Sequence, residues 1–297
     1  MKKIKIPQLK FPKDLEKYRS ELTDQLLQNP SVQDFLKENN LDENFINDHL
    51  LGLMQIEEEN QVCLTCPGYA HCKKSPRGLL TTMCEIDGFW EISYKNCEPY
   101  EEVKVLLDNY LYYDFDDEWL KTSLDNVSLN FARRKLVTEA INLLKEKTSE
   151  GLYVYGAGGV GKSYILAALT NDLIRIYGKK VAFINVRSFI EDCKLSFDMK
   201  NVGDYVGERI KELQQVDVLV LDDLGGEKVS EWSTHSVLYD IIEYRARRRL
   251  LTLYSSRYSQ SQLYGIYGGK NPRTDRFIEQ LALTGREIEV RGLDLNK

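Results

Sequence analysis

Residues 152–170 read LYVYGAGGVGKSYILAALT, and the reading of the fold turns on this stretch. Gly156, Gly161, Lys162 and Ser163 stand at the spacing G-x-x-x-x-G-K-S, a loop whose backbone N–H groups can cradle phosphate oxygens. The four residues before it, Leu152 to Tyr155, are apolar and aromatic and read as a buried strand. Ser163 to Thr170, rich in Ala and Leu, reads as a helix. The loop therefore falls at a strand-to-helix turn, where free helix N–H groups and the positive end of the dipole favour an anion. Gly158 and Gly159 leave room for the backbone to approach phosphate. In that geometry Gly156, Ala157, Gly158, Gly159, Val160, Gly161, Lys162, Ser163 and Tyr164 surround ATP. Lys162 reaches the β- and γ-phosphates, and the Ser163 hydroxyl binds Mg²⁺.

Moving outward, Lys180–Val186, Val216–Leu221, Leu250–Ser255 and Ile288–Arg291 read as further strands, five with the first. Helical patterns separate them over 130–147, 187–197, 204–214 and 231–247. Apolar strands alternating with helices predict an α/β fold with a parallel sheet covered on both faces. Ligands then sit at the carboxyl ends of the strands, where the phosphate loop and Asp222 both fall. Asp222 ends an apolar strand, the place from which a carboxylate holds Mg²⁺, usually through water. Asp223 beside it can orient or deprotonate an attacking water. Acids after a strand also cap the next helix, but the phosphate loop in the same chain favours the metal reading of Asp222.

The amino-terminal third has a different character. Residues 1–105 carry 13 Lys+Arg against 18 Asp+Glu, whereas the rest of the chain is near neutral and the whole is −6. Bulk charge thus argues against a protein that coats nucleic acid, while leaving room for a local basic groove in the second part. Residues 14–60 read as two or more helices, with a break at Pro30-Ser31 and a third segment from Phe45 to Glu59 capped by Asp42 or Asn44. Five of the six cysteines follow between 63 and 97. Cys63 and Cys66 form a C-x₂-C knuckle with Pro67-Gly68 behind it, turn chemistry that aims two thiolates at one ion. Cys72, Cys84, Cys97 and His71 supply the other candidates for a tetrahedral structural Zn²⁺. Residues 85–95 alternate as a hairpin around Gly88 that returns Cys97 to the knuckle. A redox dithiol is the weaker reading, because this C-x-x-C lacks a βαβ setting. The acidic, Tyr-rich stretch 98–122 reads as a partly ordered linker or connecting helix, with 106–122 taken as the linker between a domain at 1–105 and an ATPase domain at 123–297. No run of 18 apolar residues occurs, and the lysine-bearing start lacks an apolar segment after it, so a cytoplasmic protein with no membrane partner is expected.

A zinc knuckle joined to this ATPase resembles the bacterial replicative helicase loaders of the DnaI type. The ATPase half is also similar to the DnaC loaders and to the initiator branch of the AAA+ proteins. The resemblance is carried by Cys63-x₂-Cys66-Pro67, by Gly156–Ser163, by Asp222-Asp223-Leu224-Gly225 and by Arg273-Thr-Asp-Arg276-Phe. It implies an AAA+ P-loop NTPase of five parallel strands behind a small α-helical zinc-binding domain. It implies ATP-dependent delivery of a hexameric replicative helicase, bound through the first domain, onto single-stranded DNA during primosome assembly.

The same resemblance implies site residues. Arg273 and Arg276 match the box that holds the family's arginine finger, acting in trans through self-association, so an isolated subunit should hydrolyse ATP slowly. A solvated helix face is the plainer reading of both arginines. The adenine pocket corresponds to Leu124–Val127. The family's sensor strand usually ends Thr-Ser-Asn, whereas this chain has Ser255-Ser256-Arg257. Ser256 is taken as the group that meets the γ-phosphate, with Arg257 as the alternative source of charge. The family commonly uses a His in the third zinc-ligand region, and none follows His71 here. Cys63, Cys66, Cys84 and Cys97 are therefore taken as the ligands, with Cys72 as substitute. By analogy with initiators, single-stranded DNA should meet Lys194, Phe197 and Lys200, cations beside an aromatic; Phe189 and Phe197 also read as core. Arg245, Arg247, Arg248 and Arg249 form a second basic run, better read as a helix end. The competing function is a nucleotide or small-molecule kinase, which would require an acceptor pocket and a lid that residues 187–215 do not suggest.

Overall fold

Two units divide the chain, Met1–Glu102 and Val103–Lys297. The computed structural model describes residues 13–127, 131–146, 150–196, 205–269 and 271–292. The first unit opens with four helices, α1 Lys13–Gln28, α2 Pro30–Glu38, α3 Asn44–Asp48 and α4 Leu50–Asn60. Asn29 separates the first two: its side chain accepts from the Ser31 N–H at 2.9 Å, and Pro30 takes the first helical position. Asp42 accepts from the Asn44 N–H, as the sequence suggests, but the segment expected to run unbroken from Phe45 to Glu59 is split at His49.

A hairpin follows, β1 Leu79–Ile86 against β2 Phe89–Asn96. Asp87 and Gly88 close it with φ of 53° and 83°, the left-handed pair that a two-residue hairpin turn requires. Val32, Phe35, Ile46, Leu53, Ile56 and Met83 form the core of this unit, and Trp90 packs edge-on against Phe35 and Phe45. The Asn60 side chain donates to the Thr81 carbonyl and accepts from the Thr81 N–H, tying the end of α4 to β1. Helix α5, Glu98–Leu107, runs across the boundary between the units.

The second unit is built on β3 Tyr110–Tyr113, β4 Gly151–Tyr155, β5 Val181–Asn185, β6 Val218–Leu224, β7 Leu251–Ser256 and β8 Gly285–Glu289. They form one sheet of order β3-β5-β6-β7-β4-β8, with every pairing parallel. The helices are α6 Phe131–Glu146, α7 Lys162–Tyr177, α8 Val186–Ser196, α9 Tyr205–Gln215, α10 Tyr239–Arg248, α11 Gln260–Ile266 and α12 Pro272–Thr284. A π-helical stretch, Trp232–Leu238, leads into α10. Strands β4, β5 and β6 are almost continuously buried, which is why their sequences are apolar runs rather than alternating ones.

The sheet has six strands, not five. The extra one is β3, and it lies inside the stretch expected to be a linker at 106–122. Tyr110 and Tyr113 pair with β5, and Phe115 packs edge-on against Phe183 at 5.0 Å. Aromatic residues suit a pleated, half-buried surface, and Tyr-Leu-Tyr-Tyr is such a run hidden among acids. The first unit therefore ends near 102, and the second begins well before 123.

Of the basic run at 245–249, Arg245, Arg247 and Arg248 fall in the last turn of α10, the helix end that the sequence suggests. Arg245 is fully buried; its Nη1 donates to the carbonyls of Leu213, Gln214 and Val216 and its Nε to Thr252 Oγ1. It thus satisfies the carbonyls at the end of α9 and secures them to the sheet. Burial lowers its pKa to about 10, so it stays charged at neutral pH. Arg247 pairs with Glu243, and Arg248 lies over the Tyr244 ring.

Candidate nucleotide-binding site

Strand β4 lies between β7 and β8, yet the chain leaves it through α7 to reach β5, beyond β7 and β6. The connections diverge at that point and open a crevice at the carboxyl ends of the strands. The phosphate loop fills this position. Gly156 has φ of 148°, and a Cβ there would meet the Val290 carbonyl oxygen at 2.2 Å, so only glycine fits between β4 and the end of β8. Gly161, with φ of 92°, is backed by the Arg133 guanidinium, and Arg133 Nε donates to the Val160 carbonyl at 3.0 Å. Arg133 is a buried support of the loop that sequence inspection missed, because one arginine in an amphipathic helix carries no motif.

Lys162 Nζ donates to the carbonyls of Gly156 and Ala157 at 2.9 and 2.8 Å, so it crosses the loop it belongs to. Burial pushes its ammonium below the ordinary value, and the Asp222 and Asp223 carboxylates pull it back up. Ser163 Oγ donates to Asp222 Oδ1 at 2.6 Å, and Ser255 Oγ donates to the same oxygen. Burial raises the Asp222 carboxyl, the two serine hydrogen bonds lower it, Asp223 raises it again, and Lys162 lowers it. The two residues assigned to Mg²⁺ thus converge on one point beside the loop, an arrangement that fits a divalent cation bridging a hydroxyl and a carboxylate. Val160 is buried, and the Tyr164 ring meets Trp119 edge-on at 5.5 Å. Leu124 and Val127, the expected adenine contacts, are buried, and the Leu124 N–H donates to Asp172 on α7.

Strand β6 carries one extra residue here. Leu221 pairs with Tyr254 and Leu224 with Ser256, so three steps on β6 match two on β7, and Asp223 takes the left-handed φ of 55°. This bulge is not visible in the sequence, and it aims Asp222 and Asp223 differently from a regular strand. The Asp223 N–H donates to Ser255 Oγ, while the Asp223 carboxylate lies 3.6 Å from Arg257 Nε.

The assignment of Ser256 to the phosphate side is corrected. Its Oγ donates to the Leu224 carbonyl at 2.7 Å and accepts from the Tyr258 N–H, wholly within the fold. Neighbouring residues of a strand point to opposite faces, and Ser255 is the one that faces Asp222. Glu227, another buried acid, accepts from the Gly225 N–H and from the Tyr267 hydroxyl at 2.7 Å, tying the loop after β6 to the end of α11.

The remaining expected site residues are dispersed. Arg273 and Arg276 lie exposed in the first turns of α12, whose cap Asn271 accepts from the Arg273 and Thr274 N–H groups; Arg273 pairs with Glu231. Lys194 Nζ lies 3.5 Å from the Lys228 carbonyl, Phe189 is core, and Phe197 and Lys200 fall outside the described residues.

In the first unit, Cys84 pairs across the hairpin with Glu91, whereas the Cys97 N–H donates to Gly78 at the open end. Cys84 is six residues along the strand from Gly78, about 20 Å at strand rise, and does not join the other cysteines. Cys63 feels the charges of Cys66, Cys72 and Cys97, and Cys97 those of Cys72 and Cys66; burial pushes both thiols up. Among the described residues, no group of three or more His, Cys, Asp or Glu side chains stands ready to hold a metal ion, so the expected zinc centre is not assembled. No helix among them is long and apolar enough to cross a membrane.

A parallel sheet with the phosphate loop between its diverging connections defines an ATP-binding α/β fold of the AAA+ P-loop type. Residues 121–267 match the family described as IstB-like ATP binding protein. Over 300 residues the chain is 24% identical to the replicative helicase loader DnaI of Bacillus subtilis (strain 168), covering 94% of this chain and 93% of that one. It is 32% identical over 77 residues to the replicative helicase loader DnaC of Escherichia coli (strain K12), 26% of this chain and 30% of that protein. A crystal structure of DnaI superposes with a TM-score of 0.53 at 25% identity, covering 66% of this chain and 98% of the other. The resemblance to helicase loaders of the DnaI type thus runs along nearly the whole chain.

Proposed function

We propose that this protein is an ATP-dependent loader that binds a hexameric replicative DNA helicase and delivers it onto single-stranded DNA as the primosome assembles. The observation that carries this reading is the likeness to DnaI along 94% of the chain, joined to a phosphate loop, Ser163 and Asp222 gathered at one point. ATP with Mg²⁺ supplies a γ-phosphate whose transfer to water the site promotes by position and charge. Lys162 neutralises the phosphates, Ser163 and Asp222 hold the metal, and Asp223 orients the attacking water. Arg273 and Arg276, exposed on α12, are proposed to serve the nucleotide of a second copy, so that turnover depends on assembly. Lys194, with Phe197 and Lys200, is proposed to follow the DNA backbone.

For the first unit we assign helicase binding and a structural Zn²⁺ held by Cys63, Cys66, Cys72 and Cys97. Cys72, the substitute in the sequence reading, takes the place first given to Cys84, which lies far along β1 from the open end of the hairpin where Cys97 sits.

The deciding experiment measures ATP turnover and helicase loading onto single-stranded DNA, with each component added in turn. Stimulation by helicase or DNA supports the loader. Phosphate transfer to a small acceptor, with no response to either, would overturn it.

A further inference from the structure

We infer that Glu227 is a positioning residue for ATP hydrolysis: its buried carboxylate fixes the turn that follows β6, and through that turn the place from which Asp223 addresses the attacking water. The assignment rests on the role proposed above for Asp223 and deepens it. Glu227 is only 6% exposed, and the proposed chemistry gives it no part. A buried carboxylate is unfavourable unless its oxygens are occupied. Both are occupied here: Oε2 accepts from the Gly225 N–H at 2.9 Å and Oε1 from the Tyr267 hydroxyl at 2.7 Å.

The turn it holds is closely specified. The Gly226 N–H donates to the Asp223 carbonyl at 2.9 Å, with φ of 55° at Asp223 and 86° at Gly225. A Cβ built on Gly226 would meet Asp223 Oδ2 at 2.3 Å, so the carboxylate rests against Gly226 and shifts when Gly226 shifts. Strand β7 anchors the start of the turn, where Ser255 Oγ accepts from the Asp223 N–H and Ser256 Oγ donates to the Leu224 carbonyl. The far side consists of two glycines, the residues with most backbone freedom, and Glu227 is the side chain that holds them.

Tyr267 gives that hold a fixed base. Its ring meets Phe277 of α12 edge-on at 4.8 Å, and its carbonyl accepts from Thr274 Oγ1 at 2.9 Å. Glu227 carries the position of the Tyr267 hydroxyl across to the Asp223 turn. A misplacement of about 1 Å at a reacting centre can lower the rate by about 100-fold. The Glu227 bonds run to the turn and to Tyr267, not to the phosphate loop, so their loss should fall on turnover rather than on ATP affinity. An amide of the same shape can accept from Gly225 with its oxygen and donate to the Tyr267 oxygen with its nitrogen, which preserves the geometry without the charge.

The test measures, on the full chain with Mg²⁺, ATP turnover and equilibrium affinity for β,γ-methylene ATP, which cannot be hydrolysed. Glu227→Leu, similar in size but unable to accept either bond, should lower turnover about 10–100-fold with affinity held within about twofold. Glu227→Gln should restore most of that turnover. A Gln variant as slow as the Leu variant, or a Leu variant with normal turnover or with affinity lost in step, overturns the assignment. Should Glu227→Leu fail to fold, Gly226→Ala takes its place, since Gly226 is exposed and the added methyl would meet the Asp223 carboxylate first. The same fall in turnover supports the assignment, and normal turnover overturns it. Asp223→Asn separates this assignment from the reading beneath it. If that variant turns over like the wild type, the role of Asp223 falls and this assignment with it; if it is slow while the Glu227 and Gly226 variants are not, only this assignment falls.

Discussion

The phosphate site of the second unit and the cysteine stretch of the first each gather short runs of reactive residues, but they are held in different ways. Around the loop, Lys162, Ser163, Asp222 and Ser255 are fixed by hydrogen bonds to one another or to the loop backbone, the first two in the first turn of α7 and the others near the ends of buried parallel strands. Cys63, Cys66, Cys72 and Cys97 sit on turns and at the open end of a hairpin, and among the described residues they do not make up a metal-holding group. A site built on strand ends is positioned by the core before any ligand arrives. A site built on turns depends on its ion for its final shape, since metal binding and local folding are one equilibrium.

That contrast can be broken by experiment. The largest effect should come from Arg276→Ala, which removes the charge proposed to act in trans. Turnover of the assembled protein should fall about 10³–10⁵-fold with ATP affinity unchanged, and equal turnover excludes Arg276 as the finger. Next, Lys162→Ala should cost about 10²–10³-fold in turnover and abolish the ATP-dependent response, with unchanged circular dichroism because the strands hold the site. Loss of the folded signal would show that the phosphate loop is not pre-positioned.

In the first unit, Cys72→Ser should weaken zinc by about 100-fold and lower the melting temperature, while Cys84→Ser keeps one zinc per chain by elemental analysis. The reverse pattern would restore the original ligand set, and no zinc in the wild type would remove the metal. The smallest effect concerns acid. Burial raises the Asp222 pKa, and only its ionised form takes Mg²⁺, so Mg²⁺-dependent ATP affinity should decline below that raised value, by about tenfold per pH unit. A profile flat down to the range of an ordinary carboxylate would place Asp222 in solvent.

The phosphate loop, four of its flanking strands and the place of Asp222 beside the loop were legible because each is a local pattern: glycine spacing, apolar runs, an acid at a strand end. Strand β3 was not, because its aromatic run is embedded in acids and its partner β5 lies far along the chain. Ser256 was chosen and Ser255 passed over for a related reason. Which of two adjacent serines faces the loop depends on register, and the bulge at Asp223 alters that register. Cys84 was misplaced because spacing alone does not reveal how far a hairpin carries a residue from its ends. Arg245 reads in sequence like its exposed neighbours and differs from them only in facing the core.

The late-found edge strand has a practical consequence. A fragment begun at 123 would strip β3 from the sheet and bare one flank of Val181-Ala-Phe-Ile-Asn185, whose N–H and C=O groups would then seek strands of other molecules. Such a piece should precipitate or pair with itself, imitating the self-association proposed for the ATPase half. Beginning the fragment at Val103 keeps that flank covered, and any oligomer it forms can then be credited to the native surface.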